Sequence, residues 1–159
     1  MVTHGVRSAP EHIAHRVSIP SIARPVYKLA VGHVGSWDAG YFGLLVATSI
    51  FSSGAATLLF LAAEIITADT FIALLAAVLY LLSFAVANLF LTGLVDSDEA
   101  FFLLGLTWAM LTERWWISPP AMILGALTKE AFIAFAAVFC LVWAISSRPT
   151  LRKLTASYL

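Results

Sequence analysis

Lys129-Glu130 sets a cation and an anion side by side between two apolar runs, Trp115 to Thr128 and Ala131 to Ser147. An ionised side chain at mid-membrane costs roughly 3 kcal/mol on insertion scales, so such a pair either serves a site or ends a helix. A second cluster, Asp96-Ser97-Asp98-Glu99, stands directly before the apolar run Ala100 to Thr112. Carboxylates in a first helical turn answer its positive dipole end, and Ser97 or Asp98 suits a cap. The same oxygens suit a hard divalent cation such as magnesium. His4, His12 and His15 lack the spacing of a metal site, and no phosphate-cradling glycine loop or nucleophile elbow is present.

The elements that must hold these residues are membrane helices. Hydrophobic residues make up 61% of the chain and charged ones 11%, against about 25% charged in ordinary soluble domains. We therefore expect an all-α, polytopic membrane bundle of four to five segments, with residues 1–40 as an interfacial segment, 41–147 as the helical domain and 148–159 as a basic tail. Phe42 to Ala63 and Thr70 to Thr92 carry no charge and are each long enough to cross a hydrocarbon core about 30 Å thick. Glu64 to Asp69 leaves room only for a tight antiparallel hairpin. Ser49, Ser53 and Thr57, spaced by four, allow a neighbouring helix to approach closely, and Asn88 suits a bond across to another helix. Cys140, the single cysteine, reads as a small packing residue.

After Pro20, apolar residues at Ile22, Ala23, Val26, Tyr27 and Ala30 share one helical face while Arg24 and Lys28 share another, the pattern of an amphipathic helix lying on headgroups. Trp108, Trp115 and Trp116 suit an interfacial belt. Ser118-Pro119-Pro120 reads as a helix start with Ser118 as cap. Beyond it the chain admits one long helix with Lys129 and Glu130 inside, or a break at Thr128-Lys129-Glu130. Lys and Arg bias favours four spans with both ends cytoplasmic, because Arg114 would then stand alone on the opposite side. Zero net charge gives no electrostatic reason to expect nucleic acid.

Three stretches, taken in order, resemble C-type (GT-C) superfamily membrane glycosyltransferases that use polyprenyl-phosphate sugars. They are His15-Arg16-Val17-Ser18-Ile19-Pro20-Ser21-Ile22-Ala23-Arg24, then Asp98-Glu99-Ala100-Phe101-Phe102-Leu103-Leu104, then Arg114-Trp115-Trp116 through Gly125-Ala126-Leu127-Thr128-Lys129-Glu130. Glu99 stands where the family pattern has proline. The resemblance implies sugar transfer from a lipid-linked phosphate donor at the non-cytoplasmic face of a bacterial inner membrane. It places the N-terminal segment, Asp96 to Glu99 and Lys129-Glu130 on that face, with five segments and the basic tail inside.

It further implies Arg16 and Arg24 near the donor phosphate, where arginine can bind bidentately. Asp96 and Asp98 would contact a magnesium or manganese ion or the acceptor, and Lys129 and Glu130 would form a charged cavity rim. The family's acid in the first external loop has no match here, since no Asp precedes Asp38 and only Glu11, in an altered place, offers a substitute; the family's further helices make this chain read as a partial or shortened relative, or one completed by a partner membrane subunit. The alternative is a noncatalytic helical membrane protein or assembly subunit.

Overall fold

The computed structural model describes residues 18–83 and 97–146. Among them are six α-helices: α1 (Ser18–Ala30), α2 (Ala39–Thr67), α3 (Thr70–Leu82), α4 (Ser97–Leu111), α5 (Ser118–Ala126) and α6 (Glu130–Ser146), with a 3-10 turn over Trp115–Ile117 before α5. No strand occurs among the described residues.

The axis of the molecule is α2. Asp38 caps it, its Oδ1 accepting the Tyr41 N–H at 2.7 Å, and the helix ends where Ala68 turns left-handed at φ 52° and returns its N–H to Glu64 O. α2 is the described helix long and apolar enough to cross a membrane; α3 and the Ala131–Ile145 stretch of α6 are apolar but shorter. Asp69 then caps α3, its Oδ1 accepting from Phe71 N at 2.8 Å and Ile72 N at 3.2 Å. The hairpin expected over Glu64 to Asp69 is tighter than the charges suggest, because α2 continues through Thr67. Of the uncharged run Thr70 to Thr92, the described helix covers Thr70–Leu82, and Asn88 lies outside the described residues.

One stripe of α2 takes both α1 and α4. Gly43, Ala47, Phe51, Gly54 and Leu58 recur at spacings of four, four, three and four, which is one helical face. A methyl at Gly43 would lie 2.7 Å from Ala23 O, and one at Gly54 would lie 2.7 Å from the Phe101 ring. Glycine is what permits both approaches. Close packing in this fold therefore runs along the glycine and alanine stripe and not along the Ser49, Ser53, Thr57 row. The Ser49 hydroxyl donates to Leu45 O at 2.6 Å and that of Thr57 to Ser53 O at 2.9 Å, while Ser53 and Thr57 line a shallow groove against Leu74, Ala77 and Leu81 of α3.

α1 runs antiparallel to the first half of α2, with Ile19, Ala23 and Ala30 buried. The amphipathic pattern is thus used against protein, and its apolar face covers α2 instead of lying alone on a surface. α4 runs parallel to the second half: Gly54 meets Phe101, and Gly105 approaches Leu58. Continuing that register back by two residues sets Glu99 at the level of Ser52, halfway along α2. The buried core forms at this level from Ile19, Ala23, Ala47, Phe51, Phe102, Leu106, Phe132 and Ala136.

Ser118 is not a cap. Ile117 holds the N-cap position, because the 3-10 turn feeds directly into α5 and Ser118 already has helical backbone at φ −62° and ψ −45°. The Ser118 hydroxyl is buried without a hydrogen-bond partner.

Candidate functional site

Between α5 and α6 the chain breaks. Thr128 is buried, and its hydroxyl donates to Gly125 O at 2.6 Å, while its N–H donates to the same carbonyl at 3.0 Å. Both bonds close the end of α5 and leave Lys129 outside either helix. Phe132 N–H then returns to Lys129 O at 3.1 Å, starting α6. Gly125 admits the Phe132 ring, which would come within 2.2 Å of a methyl there. The alternative of one uninterrupted helix is excluded by this turn.

The turn delivers Lys129 to α4. Its Nζ lies 3.4 Å from Glu99 Oε2, with 35% of the Lys129 side chain and 16% of the Glu99 side chain exposed. Two charged clusters far apart in sequence are thereby joined, and the residue that matters on α4 includes Glu99, which motif matching treated as a substitution for proline. Asp98 is 2% exposed, and its Oδ1 accepts the Glu99 N–H at 3.0 Å. Ser97 is buried beside it with its hydroxyl lacking a hydrogen-bond partner. A helix N-terminus favours negative charge, and here α1, α4 and α6 all begin near the same level of α2. Lys129 and these positive helix ends together compensate Asp98 and Glu99.

An apolar slot of about 400 Å³ opens beside this junction, lined by Ser21 and Ile22 of α1, Phe51 of α2, Phe101 and Phe102 of α4, and Leu124 and Leu127 of the α5 end. The aromatic floor is cross-braced: Phe51 and Phe101 pack edge to face at 5.6 Å, Phe101 and Phe102 at 5.2 Å, and Phe102 and Phe132 at 6.4 Å. Such pairs contribute about 0.5–1.5 kcal/mol each beyond area burial, so the slot is a rigid feature. Sequence reasoning missed it, since apolar residues in an apolar chain carry no mark of facing a gap.

Arg24 is exposed on α1. It follows Ser21 by three residues and so shares its outward face, one turn nearer the start of α2. It does not line the slot, and Lys28 continues the same face. Arg16, Asp96, Glu11 and the three early histidines lie outside the described residues, and for Glu130 only the backbone is described. No group of three or more metal-binding side chains forms among the described residues.

Comparison with protein-family models, with curated proteins and with solved structures finds no match to this chain.

Proposed function

We propose that this chain forms the membrane core of a C-type glycosyltransferase-like enzyme, taking a sugar from a polyprenyl-phosphate donor at the non-cytoplasmic face of a bacterial inner membrane. The observation that carries the reading is the slot: Ser21 and Ile22, Phe101 and Phe102, Leu124 and Leu127 come from the three separate stretches that resemble the family, and they line one cavity.

Its chemistry suits an amphiphile. The lining is almost wholly apolar and would hold part of an isoprenoid tail, whereas Arg24 stands a turn along α1 from Ser21, in the direction a phosphate head would lie. Lys129, paired with Glu99, follows the slot-lining Leu127 by two residues and supplies a second cation near the donor. With α2 set across a bilayer, this junction falls at mid-depth, where an unpaired Glu99 or Lys129 would be costly. The four to five membrane segments of the sequence reading belong to this proposal, with α3 returning beside α2 and with α4 and α6 entering as segments that start at the level of the junction. The outward faces of α3 and α6, including Phe71, Leu82, Phe135 and Leu141, are exposed large apolar residues that only lipid or another membrane helix can cover.

A noncatalytic helical subunit is the second reading. It is favoured by the mutual satisfaction of Glu99 and Lys129, which leaves them a complete structural role.

The two part on ligand binding. The full chain in proteoliposomes is irradiated with a polyprenyl phosphate bearing a tail diazirine, with unlabelled polyprenyl phosphate or neutral polyprenol as competitor. Adducts on Phe101, Leu124 and Leu127, suppressed by the phosphate and not by the alcohol, are the expected result. Adducts spread over α3 and α6 and insensitive to either competitor would favour the noncatalytic subunit.

A further inference from the structure

At the far end of α4 the backbone makes a tight, fully bonded turn. Glu113 N–H donates to Met110 O at 3.2 Å and Arg114 N–H to Ala109 O at 2.8 Å, with Glu113 left-handed at φ 58°. This is the arrangement in which glycine is usual, and holding a glutamate there costs about what a strained turn costs. Ile117 N–H returns to Arg114 O at 3.0 Å, so the positions of the intervening residues are fixed too.

Four side chains are displayed by that turn. The Arg114 guanidinium carbon lies 5.3 Å from the centroid of the Trp108 ring. Trp115 is 51% exposed and Trp116 73% exposed. Glu113 and Arg114 are both exposed, and neither has an ion-pair partner among the described residues. Among the described residues, an acid and a base without ion-pair partners therefore stand next to each other, flanked by two open indoles.

Their level is set by the parallel register of α4 and α2, which brings Leu111 to the level of Glu64 and the turn to the Thr67 end of α2. Trp37, also exposed, precedes the Asp38 cap at the opposite end. α2 has 29 residues and so is about 43 Å long at 1.5 Å per residue, close to the roughly 40–45 Å of a bilayer with its headgroup layers. Indoles favour those layers.

From this we infer that the Glu113–Trp116 turn is a binding site for a zwitterionic phospholipid headgroup carrying a phosphate and a primary ammonium, that is, phosphatidylethanolamine in the bilayer. Arg114, held over the Trp108 ring, offers its N–H groups to the phosphate. Glu113 accepts from the ammonium, and an indole face takes the same cation. A purely anionic headgroup would meet Glu113, with Glu64 and Asp69 at the same end of the bundle. A choline headgroup has no N–H to give the carboxylate. The inference depends on the membrane placement and is independent of any catalytic role of the slot.

The test uses the full chain in nanodiscs of equimolar phosphatidylethanolamine, phosphatidylcholine and phosphatidylglycerol, with retained lipids counted by native mass spectrometry. Phosphatidylethanolamine should be retained at least threefold over each of the others. Glu113→Gln should bring that ratio to about one while Arg114→Gln should lower retention of all three. Glu113→Gln alters no backbone requirement, so it remains informative if Arg114→Gln folds poorly. Equal retention by the unmodified protein, a preference for phosphatidylglycerol, or a phosphatidylethanolamine preference surviving Glu113→Gln would each overturn the assignment.

Discussion

Lys129 Nζ and Glu99 Oε2 lie 3.4 Å apart although thirty positions separate them in the chain, and this contact ties the α5–α6 turn to the start of α4. Exposed ion pairs contribute little, about 0–1 kcal/mol, whereas losing one partner of a buried pair costs roughly 3–5 kcal/mol. The partial exposure here places the pair between those limits. Lys129→Met and Glu99→Gln should each destabilise the fold by about 1–2 kcal/mol, and the double variant by clearly less than their sum. Unfolding in mixed micelles measures all three, and strict additivity would show that the contact carries no coupling energy.

Glycine substitutions should separate by what faces each position. At Gly43 the obstacle is the Ala23 carbonyl, 2.7 Å from an added methyl, whereas at Gly105 the nearest atom is a Leu58 methyl at 3.8 Å. Backbone cannot step aside as a side chain can, so Gly43→Ala should cost about 1–3 kcal/mol through overpacking. Gly105→Ala should be neutral or stabilising by up to about 1 kcal/mol through helix propensity. Thermal unfolding of the two variants side by side would decide the matter, and equal destabilisation would contradict the packed seam between α1 and α2.

Much of the fold was legible because its signals are local. The short Glu64 to Asp69 connection announces a hairpin, the uncharged run after Phe42 announces a span, and Lys129-Glu130 marks the one place where a break competes with a continuous helix. What sequence could not show is which segments share a level. Glu99 gave no hint of Lys129 as its partner, since the contact exists only because α4 begins halfway along α2 and α5 ends there. The amphipathic pattern of α1 was correctly seen as one apolar face, but periodicity cannot tell whether lipid or a neighbouring helix covers that face. Ser118 misled for a different reason: a serine before proline looks like a cap, but the 3-10 turn over Trp115–Ile117 carries helical backbone through it, so the helix has already begun one residue earlier.

Filling the slot should block a bound tail without unfolding the chain. Ser21 is exposed at its mouth, so Ser21→Trp adds bulk into an open gap instead of a packed core. Its stability should stay within about 1 kcal/mol of the parent, as surface changes usually do. Photolabelling of Phe101 and Leu124 by the polyprenyl phosphate probe should fall at least tenfold. Unchanged labelling in a folded Ser21→Trp protein would mean that the tail lies elsewhere.

Among the described residues, two non-glycine residues hold left-handed backbone, Ala68 at φ 52° and Glu113 at φ 58°, the first directly after α2 and the second two residues beyond α4. Their strain is the same in kind, and glycine would relieve it by roughly 1 kcal/mol at either position. The two differ in what the side chain does. Ala68 terminates α2 and offers only a methyl group, so Ala68→Gly should raise the unfolding midpoint and leave lipid retention untouched. Glu113 carries the carboxylate assigned to the headgroup ammonium, so Glu113→Gly should raise the midpoint similarly while abolishing the preference for phosphatidylethanolamine. Measuring both properties on both variants separates conformational relief from ligand chemistry. If Glu113→Gly gains stability and keeps the lipid preference, the strained glutamate is not what selects the headgroup.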